Sequence, residues 1–280
     1  MASEMISCRT ATDITKLTTG DRPRLGSRAF VAGRGTPASA DPAEQIRRLK
    51  RFLSPQVARF IMSCDERELL QCRRREVTVV FCDLRGFTSF SEVAAPDVIM
   101  TVLRMYHEAL GRLTIEFDGT VERFTGDGIM VYFEAPPIET QAARAVRMAV
   151  RMRARVRELC AAWRRWGHDL DVGMGVALGF ASVGTVGFEG RYDYAAIGPV
   201  TNLGSRLCAH AAPGEILISE SVYAAVRHLV DACPVDGLVL RGFPSRVIAY
   251  AVRDVITGAS GPDACLESPT ATGYDTGHRE

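Results

Sequence analysis

Apolar and polar residues alternate, or recur at helical spacing, from about residue 41 to about residue 255 of this 280-residue chain. Short apolar runs predict strands, and longer segments with apolar residues every three to four positions predict helices. The predicted elements of the main segment are a strand at 77–83, a helix at about 95–116, a hairpin at 120–134, a helix at about 138–166, strand-like runs at about 170–180, 182–188 and 192–197, a helix at about 199–211, a strand at 215–218, a helix at 219–229, and strands near 235–241 and 246–253.

The order of these elements predicts the fold class. A strand, a helix, a hairpin, a helix and a strand follow one another at the start, which is the order of a split β-α-β arrangement. We therefore expect an α+β domain of the ferredoxin-like kind. Its sheet should be mainly antiparallel, with the helices packed on one face.

Three shorter segments flank this domain. Residues 1–40 are rich in Thr, Ser, Gly, Ala and Arg and lack periodicity, so we expect no stable fold there. Residues 41–71 predict an amphipathic helical lead-in that starts at Asp41-Pro42 and is interrupted at Pro55. Its basic residues favour a solvated helix face over contact with a membrane surface. The tail, 256–280, is rich in Gly, Ser, Thr and Asp, and we expect it to be flexible.

Composition narrows the function classes. Lys and Arg number 34 and Asp and Glu number 33, a balance that argues against a general nucleic-acid binder. The eight cysteines form no C-x-x-C pair and have no metal-ligand spacing with histidine, which favours a reducing cytoplasm. No stretch reaches the roughly 18 apolar residues of a spanning helix, and the N-terminus lacks the apolar core of a secretory signal. We expect a soluble, cytoplasmic protein.

Asp83 is the first candidate for chemistry, because it ends the apolar run 77–83. An ionised carboxylate at the end of a buried strand is costly unless a cation or several donors compensate. The chain then turns through Gly86 into a helix entry, where free backbone N–H groups can hold phosphate oxygens. The alternative is an ordinary strand-turn-helix with a capping aspartate.

Asp127 is the second candidate and lies between Gly126 and Gly128, at the tip of the predicted hairpin. An aspartate chosen for its turn conformation is the alternative interpretation. Two carboxylates on neighbouring strand ends, however, make a site for hard divalent cations with oxygen ligands. A metal pair of that kind is the usual apparatus for in-line attack on a phosphate.

The third candidate is a pair on the predicted helix that starts at Pro199. Asn202 and Arg206 are separated by four residues and therefore share one helix face. A guanidinium and an amide on one face suit a phosphate and a ribose. A solvated helix face is the alternative.

Taken together and in this order, the three motifs resemble the catalytic domain of class III nucleotidyl cyclases, the family of adenylate and guanylate cyclases. The resemblance covers about residues 72–255. The stretch 49–55 also resembles the helical lead-in that precedes some bacterial cyclase domains.

The resemblance implies a role for each motif. Asp83 and Asp127, with the carbonyl of Leu84, would hold two Mg²⁺ or Mn²⁺ ions per active site. The ribose 3′-oxygen would attack the α-phosphorus, and pyrophosphate would leave. Asn202 would orient the ribose, and Arg206 would neutralise charge that develops on the α-phosphate.

The resemblance also implies further substrate contacts and an assembly. Phe87 and Thr88 follow the first aspartate in the family motif, and Arg241 stands where the family usually has a lysine for the terminal phosphates. In this family the metal aspartates come from one subunit and the Asn/Arg pair from the other. The implied assembly is a homodimer with two composite sites.

Base recognition departs from the family pattern at two positions. Arg123 stands where the family usually has lysine, and Ala195 stands where it often has Asp or Thr. Guanylate cyclases tend to have Glu and Cys there, and neither is present. The resemblance therefore favours ATP over GTP by elimination.

Several functions remain open at this point. The leading hypothesis is an adenylate cyclase, followed by a guanylate or relaxed-specificity cyclase. A non-catalytic, nucleotide-sensing dimerisation module is the alternative outside the enzymes. A diguanylate cyclase is disfavoured because its Gly-Gly-Asp/Glu-Glu-Phe turn is missing. The lead-in, 41–71, would relay the signal of an upstream regulatory partner or pack the dimer.

Overall fold

The computed structural model describes residues 41–256. The expectations for 1–40 and for the tail beyond residue 256 lie outside the described residues. The predicted lead-in contains three helices: Pro42–Lys50 (α1), Pro55–Ser63 (α2) and Glu66–Leu69 (α3). A polar side chain caps the start of each of these helices: that of Asp41, Ser54 or Asp65 accepts a backbone N–H from the first turn.

The main segment contains eight strands and five further helices within the described residues. In chain order these are Arg73–Arg85 (β1), Phe87–Val93 (α4), Pro96–Glu116 (α5), Thr120–Phe124 (β2), Gly128–Phe133 (β3), Ile138–Arg165 (α6), Asp171–Phe188 (β4), Arg191–Ile197 (β5), Pro199–His210 (α7), Ile216–Ser219 (β6), Glu220–Val226 (α8), Val230–Leu238 (β7) and Val247–Val255 (β8).

The strands form one sheet in the order β2-β3-β1-β4-β6-β8-β7, and β5 pairs with the far half of β4. Every pairing is antiparallel except that of β4 with β6. The predicted runs 170–180 and 182–188 are one continuous strand. They do not separate at Ala181 because β1 continues to pair with β4 through this point. The mainly antiparallel α+β fold is therefore confirmed.

Helices cover both faces of the sheet. Val80 and Cys82 of β1 belong to the large core that includes residues of α5 and α6, whereas Val77 and Val79 pack on the opposite side with Val200 of α7. The expectation that all helices lie on one face was therefore wrong for α7. The reason is that β1 is apolar at successive positions, so both of its faces have to be removed from water.

The lead-in packs against the edge of the domain. The Gln56 side-chain amide donates to the carbonyl of Gly119 at 2.9 Å, and the Phe60 ring lies 5.2 Å from that of Tyr194. These contacts join α2 to the residue preceding β2 and to β5. None of the helices within residues 41–256 has the length and apolarity to cross a membrane.

Candidate active site

The two aspartates come together where β1 ends beside the β2–β3 hairpin. Asp83 is opposite Gly128 in the β1–β3 register. The backbone N–H of Leu84 donates to the carbonyl of Asp127 at 3.3 Å. Three residues that sequence reasoning assigned to a metal site therefore lie at one end of the sheet, held there by the strand pairing.

The electrostatics of this end show two carboxylates that repel each other. Burial raises the pKa of Asp127 above its usual range, the negative charge of Asp83 raises it further, and the charge of Arg85 partly offsets both effects. An added divalent cation would relieve the repulsion and pair with both charges. This observation fits a cation site.

The donor set is two carboxylates with adjacent backbone carbonyls, and hard cations such as Mg²⁺ or Mn²⁺ prefer such oxygen donors. Among the described residues, His, Cys, Asp and Glu form no cluster of three or more that suits a metal ion. A Cβ at residue 128 would lie 3.3 Å from Asp83 Oδ1 and 2.5 Å from Thr125 Oγ1. Gly128 therefore keeps the space beside the Asp83 carboxylate open.

Asn202 and Arg206 lie on α7, which begins at Pro199, and both are exposed. Across residues 41–256, neither side chain forms a hydrogen bond or ion pair with Asp83 or Asp127. The Asn202/Arg206 pair is open to solvent and the Asp83/Asp127 pair is partly so, but no hydrogen bond or ion pair connects the two pairs within residues 41–256.

Arg123 makes an unexpected contact. Its Nε and Nη2 donate to the two carboxylate oxygens of Glu122, each at 2.6 Å, and the Glu122 side chain is only 2% exposed. Neighbouring side chains of a regular strand point to opposite faces. A β-bulge between Val121 and Arg123 interrupts this alternation, so the side chains of Glu122 and Arg123 can contact each other. The hydrogen bond that Arg123 donates to Glu122 is the main reason that the pKa of Arg123 is raised.

Ala195 lies on β5, only 2% exposed, with no polar side-chain atom to offer a base. Asp193 lies on the same face of β5, and its charge contributes to the raised pKa of Arg123. The strands that carry the two predicted base contacts, β2 and β5, are therefore close to each other in this chain.

The remaining predicted substrate contacts lie on two other segments of the chain. Phe87 and Thr88 begin α4, directly after the left-handed residue Gly86. Arg241 is exposed in the turn that follows β7. No acidic residue between 41 and 256 pairs with Arg206 or Arg241, so both guanidinium groups have free donors.

The comparisons with known proteins bear directly on this geometry. The sequence model of the protein family "adenylate and guanylate cyclase catalytic domain" matches residues 70–253 of the chain. The chain belongs to this family.

The proteins that this cyclase resembles include some named adenylate cyclase and some named guanylate cyclase. It is 33% identical over 182 residues to an adenylate cyclase of Anabaena cylindrica, covering 64% of this chain and 34% of that relative. The adenylyl cyclase CyaB from P. aeruginosa superimposes with a TM-score of 0.64 at 33% identity, covering 66% of this chain and 97% of that one. The guanylyl cyclase Cya2 superimposes with a TM-score of 0.64 at 31% identity, covering 68% and 98%. The predicted family is confirmed, and this chain spans only about a third of the Anabaena relative.

Two residues of this cyclase site were missed by sequence reasoning. Glu122 was missed because nothing in the sequence indicates the bulge that turns it toward Arg123. His107 packs behind the hairpin tip, with its ring 4.6 Å from that of Phe124, and a bond to the backbone of Gly126 stabilises its charged form. Burial nevertheless lowers the His107 pKa. The signal that could have found it is a polar residue on the buried side of helix α5.

Arg85 is a third residue of the cyclase site that received no role from the sequence. It follows Asp83 on the same face of β1 and forms an ion pair with it at 2.7 Å. The spacing of a basic residue two positions after a strand-end carboxylate was the available signal.

Proposed function

We propose that this protein is an adenylate cyclase, which converts ATP to 3′,5′-cyclic AMP and pyrophosphate. The observation that carries the proposal is the meeting of Asp83 and Asp127 at one sheet end, where burial, and then the charge of Asp83, raise the pKa of Asp127. Carboxylates with perturbed pKa values cluster at functional sites, and a bound cation would relieve the repulsion between these two.

Asp83, Asp127 and the carbonyl of Leu84 would hold two Mg²⁺ or Mn²⁺ ions, which supply a more acidic ribose 3′-hydroxyl and a grip on the triphosphate. The 3′-hydroxyl gives its proton to solvent, its oxygen attacks the α-phosphorus in line, and the bond from that phosphorus to the bridging oxygen breaks, so that pyrophosphate leaves. Asn202 orients the ribose through its amide. Arg206 donates to the α-phosphate oxygens as their charge increases in the transition state.

The other predicted contacts bind substrate without touching the reacting atoms. Arg241 pairs with the terminal phosphates, and Phe87 and Thr88 flank the triphosphate beside the metal strand. Arg123 donates to a ring nitrogen of the base. It uses Nη1, because Nε and Nη2 are engaged by Glu122.

The proposed active form is a homodimer with two composite sites. Support comes from the exposure of Asn202 and Arg206 and from the lack of any hydrogen bond or ion pair between them and the aspartates within residues 41–256. Helix α7 is rigidly seated on the sheet: a Cβ at Gly204 would lie 2.8 Å from the Val79 side chain. In the proposed dimer, the α7 of the partner supplies Asn202 and Arg206 to the aspartates.

ATP is the proposed substrate for two reasons. The Anabaena relative and the P. aeruginosa structure carry the name adenylate or adenylyl cyclase. In addition, both oxygens of Glu122 already accept from Arg123, and its side chain is only 2% exposed, so little of this carboxylate faces a bound guanine.

Guanylate cyclase activity is the second candidate, and Glu122 is also the observation that favours it. A buried carboxylate beside a base contact would accept from guanine if Arg123 moved away. The similarity to the guanylyl cyclase Cya2 points in the same direction.

Purified protein with Mn²⁺ and ATP tests the proposal directly. Wild type should form cyclic AMP, and Asp83→Asn and Asp127→Asn should reduce turnover by at least about 10²-fold while retaining the native circular dichroism spectrum. Asp236→Asn, an exposed aspartate on β7, is the matched control and should keep full activity. Full turnover in either site variant would contradict the two-carboxylate site. Nucleotide binding without product would favour the sensing module.

A further inference from the structure

Arg85 joins the metal strand to the end of the helix that carries Asn202 and Arg206. Its Nη1 donates to Asp83 Oδ2 at 2.7 Å, its Nε donates to the Ala211 carbonyl at 3.1 Å, and its Nη2 donates to the Cys208 carbonyl. Its side chain is only 19% exposed. All three nitrogens of one guanidinium are therefore committed, one to Asp83 and two to the end of α7.

The surrounding backbone is shaped for this contact. A Cβ at Gly173 of β4 would overlap the Arg85 guanidinium. A Cβ at Gly175, two residues further on the same face, would overlap the α7 backbone at Cys208. Glycines at both positions let the arginine and the helix end lie directly on the strand. Larger side chains there would displace α7 from the sheet.

Physical chemistry explains why an arginine stands here. The last turn of a helix has carbonyl groups without helical partners and carries partial negative charge. A planar guanidinium can bond two such carbonyls and a carboxylate at the same time. Lysine is a point donor on a flexible stem, so it keeps the charge but cannot hold this geometry.

We propose that Arg85 is a positioning residue that orients Asp83 and α7 together. The proposal rests on the proposed function, because in a composite dimer the Asp83 and the α7 of one chain belong to different active sites. Each Arg85 then orients the metal carboxylate of one site and, through α7, the Arg206 of the other. The two sites of the dimer are linked through this residue.

Mixed dimers separate the two effects of Arg85. When Asp83→Ala chains are combined with Arg206→Ala chains, the single intact site uses Asp83 of the Arg206→Ala chain and Arg206 of the Asp83→Ala chain. Adding Arg85→Met to the Arg206→Ala chain should raise the Mn²⁺ concentration for half-maximal activity by about 10-fold or more. Adding it instead to the Asp83→Ala chain should lower kcat by a similar factor with unchanged Mn²⁺ dependence.

Two measurements without turnover accompany this assay. In the Arg85→Met homodimer, nucleotide-free Mn²⁺ binding followed by electron paramagnetic resonance should weaken by about 10-fold or more. The amides of residues 207–211 should exchange hydrogen faster than in wild type, because the helix end has lost its partner. Arg112→Met removes an exposed arginine of α5 and should change neither quantity.

The outcomes are distinct. The proposal would be overturned if Arg85→Met changed Mn²⁺ dependence and kcat in the same way whether it was added to the Arg206→Ala chain or to the Asp83→Ala chain. Unchanged hydrogen exchange of the amides of residues 207–211 would also overturn it. If the parent mixture of Asp83→Ala and Arg206→Ala is inactive, the composite site fails, while the exchange measurement still decides the contact with α7. If Arg85→Met does not fold, Arg85→Lys should fold and show the same changes to a smaller extent. Wild-type behaviour of Arg85→Lys in all three measurements would then overturn the proposal.

Discussion

The guanidinium of Arg123 is held by both carboxylate oxygens of Glu122, the residue that precedes it in the chain, at 2.6 Å each. Glu122 is buried, whereas the Arg123 side chain is 55% exposed. The contact therefore fixes the orientation of an arginine whose outer edge faces solvent. In the proposed role of Arg123 as a base contact, this restraint reduces the conformational entropy that is lost when nucleotide binds.

We predict that Arg123→Lys reduces kcat/KM for ATP, although lysine is what the family usually has at this position. Lysine cannot form the planar, two-bond contact with Glu122 and leaves a buried carboxylate poorly paired. The expected loss is about 10-fold, with most of it in KM because the base is remote from the reacting atoms. Steady-state kinetics of the variant check this prediction. An unchanged kcat/KM would show that the two-bond contact between Arg123 and Glu122 does not contribute to the reaction.

Glu122→Gln is the partner variant of this prediction. The amide keeps the shape of the side chain but accepts only one of the two bonds from Arg123, so ATP discrimination against GTP should weaken. The measurement is the ratio of kcat/KM values for ATP and GTP. A ratio that moves in favour of ATP would indicate that Glu122 already accepts from guanine in the wild type.

Ala195→Ser should sharpen the preference for ATP. The new hydroxyl can accept from the adenine amino group, and one recovered hydrogen bond contributes about 0.5–1.5 kcal/mol, several-fold in kcat/KM. Serine adds one heavy atom, which suits a buried position better than the larger threonine. Ala195→Gly is the control and should leave the preference unchanged. A serine variant with the wild-type ratio would place the base elsewhere.

Asp127→Asn should stabilise the metal-free protein at neutral pH. Because the folded-state pKa of Asp127 is raised, the folded protein holds this proton more tightly than the unfolded chain does. Protonation of Asp127 therefore contributes to the stability of the fold. This contribution is fully present below the unfolded-state pKa of 3.8 and is lost as pH rises through the folded-state pKa. Asparagine removes the charge and its repulsion from Asp83.

Thermal unfolding in a chelating buffer checks the prediction for Asp127. The midpoint of Asp127→Asn should exceed that of wild type at pH 7, and the difference should shrink as pH falls toward 4. Added Mn²⁺ should raise the midpoint of wild type and have a weaker effect on the variant, because a ligand is missing. A lower midpoint for the variant without metal would mean that the Asp127 charge is satisfied within the protein.

Mixing inactive Asp83→Ala with inactive Arg206→Ala subunits should restore activity. Random exchange of equal amounts yields one intact site in half of the dimers, or about a quarter of wild-type activity. Arg206→Ala alone should lower kcat by about 10²–10³-fold, the usual effect of losing a transition-state charge stabiliser. Mixtures that stay inactive although labelled subunits exchange would contradict the composite site.

The long helices could be predicted from the sequence almost to the residue. Expected at 95–116, 138–166 and 199–211, they are observed at Pro96–Glu116, Ile138–Arg165 and Pro199–His210. Two of them begin at a proline, whose fixed φ angle suits the first helical position, and all three have strong apolar periodicity. The two aspartates could be predicted to lie at strand ends for a similar reason. Asp83 ends one apolar run, and Asp127 lies at the turn between two others, so both positions can be recognised from the local sequence.

The features that the sequence did not reveal depend on pairing between distant strands. Strand β7 was expected near 235–241 but is Val230–Leu238, with Pro234 inside it. A proline argues against a central strand, yet β7 is at the edge of the sheet, where its missing N–H leaves no bond unmade. The Glu122 bulge and the contacts of Arg85 with α7 likewise arise only when separate elements meet.

The central claim is tested most directly by identifying and quantifying the product that purified protein forms from ATP and from GTP in the presence of Mn²⁺. We predict 3′,5′-cyclic AMP and pyrophosphate from ATP, with a kcat/KM for ATP above that for GTP by a modest factor, because Ala195 offers no side-chain acceptor. A higher kcat/KM for GTP would contradict the adenylate assignment. Absence of any cyclic nucleotide from either substrate would contradict the cyclase activity itself.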